Sequence, residues 1–161
     1  MKNVLVLNAG SSSLKFAMYS AEGALVDERP LVRGLFELSK NGTTFSFSRS
    51  GAPTEKQELS SVATHAQAVD VLMRTLDTNA LTPHAVGHRV VHGGGVYAEP
   101  VVVDASHYAA LEGFVPLAPL HQPHNLAPIF ALMTDDVPQV ACFDTAFHRG
   151  DDGIPLVLVE E

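Results

Sequence analysis

The chain has 161 residues, 46% of them hydrophobic, enough for one domain with a full core and too few for two of ordinary size. Ten Lys and Arg against eighteen Asp and Glu give a formal charge of −8, and no basic run carries interleaved aromatics, which argues against nucleic-acid binding. No apolar run approaches the ~20 residues of a membrane span, no signal pattern opens the chain, and the single cysteine rules out an internal disulfide, so a cytoplasmic protein without a membrane partner is expected.

The first element is the apolar run Val4 to Leu7, a strand that stops at Asn8-Ala9-Gly10 and three serines. After the turn Leu14, Phe16 and Met18 alternate with Ser13, Lys15 and Ala17, which predicts a returning strand with Lys15 on the face opposite Leu14 and Phe16. Asn8, the hydroxyls of Ser11 to Ser13 and Lys15 then crowd one corner. Free backbone N–H groups, short oxygen-bearing side chains and one cation suit a phosphate or a hydrated metal ion, though an ordinary serine-rich hairpin turn uses the same residues. The spacing is not that of a Walker loop, which needs a glycine directly before the lysine and a helix directly after it.

Ala24 to Arg33 reads as a third antiparallel strand with Pro30 at an edge or bulge. Asn41-Gly42 is a hairpin signal, Thr43 to Phe47 a short strand, and Ser48 to Lys56 a polar loop. Ser60 or Ser61 caps a helix to about Asp77 whose stripe is Val62, Ala66, Val69, Leu72, Met73 and Leu76, with His65 beside it on the surface. Ala85 to His92 is a strand that stops at Gly93-Gly94-Gly95, where a ligand can approach the main chain or the loop is merely flexible.

Asp104 caps a short helix from about Ala105 to Glu112. Pro116, Pro119 and Pro123 make the segment Val115 to Asn125 an extended, rigid loop, followed by a helix from about Asn125 to Thr134. Pro138 to Phe143 is a buried strand that contains Cys142 as a structural thiol and delivers Asp144 at its end. A meander followed by helix, strand, helix, strand predicts a mixed α/β domain. Its ligands would gather beyond the carboxyl ends of the strands, where Asn8, Arg89 to His92 and Asp144 fall.

Arg89 is the only arginine embedded in an apolar strand, so it needs an anionic partner, either a structural carboxylate or a carboxylate or phosphate ligand. Asp144 is either a helix cap or a charge held at a reacting centre. His88 and His92 are four apart on a strand, and His121 and His124 bracket a proline, so neither pair has zinc geometry. His121 and His124 are expected to supply one donor to a bound anion.

Four segments, Asn8-Ala-Gly-Ser-Ser-Ser-Leu-Lys-Phe16, Gly87-His-Arg-Val-Val-His-Gly-Gly94, Pro119-Leu-His-Gln-Pro-His-Asn125 and Phe143-Asp-Thr-Ala-Phe-His148, together resemble the N-terminal half of the acetate kinases. The resemblance implies one lobe of a two-lobed, ribonuclease H-like fold of the sugar kinase, actin and Hsp70 group. It also implies reversible transfer of the ATP γ-phosphoryl group to acetate, giving acetyl phosphate and ADP, with Mg²⁺. By it Asn8 helps hold the magnesium, Ser11, Ser13 and Lys15 meet the phosphates, and Arg89 binds the acetate carboxylate or its phosphorylated form. Val91 and Leu120 line the methyl pocket, His121 contacts the transferring group, and Asp144 is the catalytic carboxylate.

The resemblance covers residues 1–148 and leaves 149–161 as a divergent tail. The second lobe it implies, with the adenosine site and most contacts of a homodimer, would lie elsewhere, so this chain alone is expected to be inactive. A propionate kinase lobe is the nearest enzymatic alternative, and a non-catalytic module for a small anion or a partner protein is the other.

Overall fold

The structure, a computed structural model, describes residues 1–134 and 136–147; the end of the fourth motif at His148 and the tail 149–161 lie outside them. Strand β1 (Lys2–Gly10) turns back into β2 (Ser13–Glu22) in antiparallel register, with Asn8 opposite Lys15 and Gly10 opposite Ser13. Alternation drives the pairing, because Leu5, Leu7 and Ala9 on one strand and Leu14, Phe16 and Met18 on the other are all buried on one face. The meander continues through β3 (Leu25–Val26), β4 (Val32–Glu37), β5 (Thr43–Arg49) and β6 (Glu55–Leu59). Helix α1 (His65–Thr78) then crosses to β7 (Ala85–Val90), which pairs parallel with β1.

After the short β8 (Val101–Val102) come α2 (Ala105–Glu112), a 3₁₀ turn at Val115–Leu117 and α3 (Gln122–Ala131). Strand β9 (Gln139–Phe143) runs parallel to β7 and passes directly into α4 (Asp144–Phe147). The strands form one mixed sheet in the order β6-β5-β4-β2-β1-β7-β9-β8, with β3 beside β2. The expected meander followed by parallel strands is what the register shows.

Two apolar clusters hold the sheet against its helices. Phe16, Phe36, Phe45 and Phe47 pack with Leu72 and Leu76 of α1, and the Phe36 and Phe45 rings stack at 4.2 Å. Val90, Ala141 and Phe143 pack with Leu111 of α2 and with Leu126 and Ile129 of α3. Both clusters lie on one face of the sheet. Side-chain alternation therefore sends Lys15, Asn8, Arg89 and Cys142 to the other face, in a row across β2, β1, β7 and β9.

Several expectations are corrected. The strand expected over Ala24 to Arg33 is split into β3 and β4, because Pro30 lacks an N–H and the exposed Asp27-Glu28-Arg29 carries no apolar alternation. The loop expected over Ser48 to Lys56 is confined to residues 50–54, because β5 runs to Arg49 and β6 starts at Glu55; the charged, exposed residues of β6 suit a sheet edge and conceal the strand from hydropathy. Helix α1 begins at Thr64 rather than Ser60 or Ser61, since Thr64 and Gln67 form a reciprocal capping box. Helix α3 starts at Gln122, three residues early, because a proline in the first helical turn gives up an N–H that has no partner there. Cys142 is exposed rather than buried, since Ala141 and Phe143 take the inward positions. His65 is buried, not a surface residue.

Candidate functional site

The carboxyl ends of β1, β7 and β9 converge, and the side chains they carry meet there. Arg89 donates from Nε to both Asp144 oxygens at 3.0 Å and from Nη2 to Oδ2 at 2.7 Å. Its Nη1 lies 3.4 Å from Asn8 Oδ1. Arginine holds a carboxylate through a planar fork, so this pair fixes the orientation of the guanidinium as well as its charge. The hydrogen bonds that Arg89 donates to Asp144 raise its pKa further above the ordinary value. Neither residue is deeply buried: the side chains are 54% and 30% exposed. Asp144 is thus both the first residue of α4 and the partner of Arg89.

Asn8 lies opposite Lys15 across the hairpin. Lys15 opens onto a cleft of about 460 Å³ that Ser12, Ser13, Glu37 and Thr44 also line. Ser11 is exposed in the turn. The turn is held from below by His65, whose Nε2 lies 2.7 Å from Gly10 O and 3.2 Å from Ser13 O. Both partners are carbonyl oxygens, so Nε2 carries the proton and donates.

His121, the residue before α3, is exposed and makes no side-chain capping bond. It neighbours His124, whose ring lies 5.3 Å from that of His65. Burial first, and then the charges of His65 and His121, push the His124 pKa below its ordinary value. Val91 is half-buried, whereas Leu120 is 74% exposed, so among the described residues these two do not enclose an apolar pocket. The structure therefore joins Asn8, Arg89 and Asp144, places Lys15 beside Asn8 on the neighbouring strand with Ser13 on its cleft, and leaves Leu120 in the open.

Sequence reasoning missed the residues that hold this arrangement: His65, Gln122, Asn125 and Thr145, all buried. The signal for two of them is a polar residue at a core position, since Gln122 and Asn125 share the stripe of Leu126 and Ile129.

His88, beside Arg89 but pointing into the core, bonds Gln139 at 2.8 Å, and burial pushes its pKa down to about 4 from 6.5. Between those values the unfolded chain takes up a proton that the folded chain refuses, so stability falls as pH drops from 6.5 to 4. The loss attributable to His88 is expected to be on the order of 3 kcal/mol. Urea unfolding at pH 7 and pH 4.5 checks it, alongside an NMR titration in which His88 stays unprotonated above about pH 5. Protonation of His88 near pH 6.5 with the fold intact would refute it.

A profile described as the Acetokinase family matches residues 3–152. The acetate kinase of Nitrobacter hamburgensis is 45% identical over 96% of this chain and 39% of its own length. That of Rhizobium meliloti is 44% identical over 93% of this chain and 39% of its own. Among solved structures, a propionate kinase from Francisella tularensis superposes with a TM-score of 0.81 at 33% identity, over 92% of this chain and 38% of that one. The acetate kinase of Porphyromonas gingivalis gives 0.79 at 31% identity, over 92% and 38%. The chain thus spans about two fifths of the length of the curated relatives it matches.

Proposed function

The chain belongs to the acetokinase family, and from that premise we propose that it supplies the acyl-binding lobe of an acetate kinase, an enzyme that passes the γ-phosphoryl group of ATP reversibly to acetate. The observation that supports this most is the joined set of Asn8, Arg89 and Asp144 at adjacent strand ends. Phosphoryl transfer needs little covalent help from a protein. It needs in-line positioning and positive charge around three equatorial oxygens.

Asp144 holds two nitrogens of Arg89, so the guanidinium presents its Nη1 side, next to Asn8, to an incoming carboxylate or phosphoryl oxygen. Lys15, Ser11, Ser13 and the N–H groups of the turn meet the nucleotide phosphates, and His121 donates to the transferring group from the mouth of α3. Val91, half-buried, would meet the methyl group, and Leu120, which lies in the open here, would reach it only from the rim. Among the described residues no three His, Cys, Asp or Glu side chains converge to cage a metal ion. The amide oxygen of Asn8, which shares Arg89 with the Asp144 carboxylate, suits instead a hard cation that keeps its waters and its phosphate ligands. Asn8 would hold magnesium in that way, and bound there the ion neutralises charge on the phosphate oxygens.

Acetate is favoured as the acyl group by the curated relatives, while the likeness to the Francisella propionate kinase keeps propionate as the second reading. One methylene in an apolar pocket is worth only about 1–3 kcal/mol. The reading carries with it a cytoplasmic location and a homodimer for the longer family architecture. No helix among the described residues is long and apolar enough to cross a membrane.

The test is a ¹⁵N spectrum of the chain titrated with acetyl phosphate, acetate and propionate. Shifts at Asn8, Arg89, Val91 and Asp144 are expected, larger for acetate than propionate, and silence at all four would overturn the site. A hydroxamate assay with ATP, Mg²⁺ and acetate is expected to show no product from this chain alone. Turnover that is lost in Asp144→Asn would show instead that the lobe suffices for catalysis.

A further inference from the structure

The parallel ladder between β1 and β7 ends at Leu7 and His88, just before the two strands deliver Asn8 and Arg89 to the site. Beyond that rung the backbones no longer bond one another, and the Ala9 carbonyl and the Val91 N–H need partners from elsewhere. Both find the same one. Asn125 of α3, 5% exposed, donates from Nδ2 to Ala9 O at 2.8 Å and accepts from Val91 N–H at Oδ1, also at 2.8 Å.

We infer that Asn125 is a positioning residue that sets the gap between the strand ends bearing Asn8 and Arg89. The inference rests on the phosphoryl-transfer reading for its functional meaning, but not for its geometry. A carboxamide offers a donor and an acceptor at one terminus, so a single side chain replaces the missing rung and holds the strands at a separation the ladder itself would not give. The separation matters because Asn8 and Arg89 must address one bound group from two strands, and a displacement of about 1 Å at a reacting centre is enough to cost roughly 100-fold.

The chain after Val91 is held the same way. Gln122, fully buried, accepts from His92 N–H at 3.2 Å and donates to His92 O at 3.0 Å, and Thr145 accepts from Gly93 N–H at 3.1 Å. Helix α3 begins immediately after His121. The Asn125 amide therefore ties the Asn8 strand, the Arg89 strand and the His121 helix into one unit while touching none of those three side chains.

A buried amide also stabilises a fold, so the test needs a readout that stability alone does not move. Asn125→Ala and Asn125→Asp serve; the second keeps shape and the acceptor for Val91 but cannot donate to Ala9. In ligand-free ¹⁵N spectra both variants are expected to shift the Arg89 Nε–H and Asn8 side-chain amide signals. Acetyl phosphate affinity is expected to fall at least about ten-fold, with Arg89→Ala as the comparison. Unmoved Arg89 and Asn8 signals with only a lower melting temperature in whichever variant folds would overturn the inference and leave Asn125 a structural residue. If the wild-type chain binds no acetyl phosphate, the functional reading fails while the ligand-free shifts still decide the positioning.

Discussion

Replacing Arg89 by alanine is expected to weaken acetyl phosphate binding by about ten-fold or more while lowering stability by no more than about 1 kcal/mol. The two numbers come from different surroundings of one side chain. Toward a bound anion, the guanidinium supplies charge-assisted hydrogen bonds at a site from which the ligand displaces water, each worth about 1.5–3 kcal/mol. Toward Asp144 it makes a pair that water still reaches, with 54% of one side chain and 30% of the other exposed, so losing the pair strands no buried charge. A carboxylate partner sealed in the core would have reversed the order and cost about 3–5 kcal/mol of stability. Arg89→Lys should not restore binding, because a point charge cannot keep two bonds to Asp144 and still present a third nitrogen beside Asn8. Thermal melts and an NMR titration on wild type and both variants make the measurement. A fall of several kcal/mol with unchanged affinity would return Arg89 to the scaffold.

Gly34→Ala is expected to be the most damaging small substitution in the sheet. Gly34 sits in β4 opposite Phe16 on one side and Phe47 on the other. A Cβ there would overlap the Ser46 carbonyl oxygen and the Phe16 ring. Neither gives way easily, since the first belongs to the paired strand and the second is locked among Phe36, Phe45 and Phe47 at centroid distances of 6.0, 6.2 and 6.3 Å. Overpacking of this kind costs about 1–3 kcal/mol and more where backbone must move. For a chain of this size that is a loss of roughly 6–12 °C in melting temperature at the upper end. Calorimetry checks it, and a change under about 2 °C would mean that β4 slides freely on its neighbours.

The site was legible to the extent that its chemistry is written in local pattern. Asn8, Lys15, Arg89 and Asp144 each stand at a place where alternation or a strand end singles out a polar residue, and the structure bonds Arg89 to Asn8 and Asp144 with Lys15 opposite Asn8 on the next strand. The apolar wall was less legible. Leu120 follows a proline and faces solvent, and nothing in its neighbours along the chain tells which way such a residue turns. His65 looked like a surface residue because it lies beside the apolar stripe of α1; its partners, Gly10 O and Ser13 O, are more than fifty residues away.

What the sequence by itself determined is the kind of sheet and the polar residues that stand at its strand ends. The two-residue period of β1, β2 and β5, the helical period of α1 and the punctuation by glycine and proline are properties of neighbours along the chain, and local backbone sterics act on them before any tertiary contact forms. Only the tertiary structure decided that the partner of Arg89 is Asp144, fifty-five residues on, and that the charged segment Glu55–Leu59 is a strand at all. It alone decided, too, that Asn125 spans β1 and β7 across 116 residues to Ala9. Pairings of that kind are chosen by which polar groups remain without a partner once the core has closed, a balance that exists only in the folded chain.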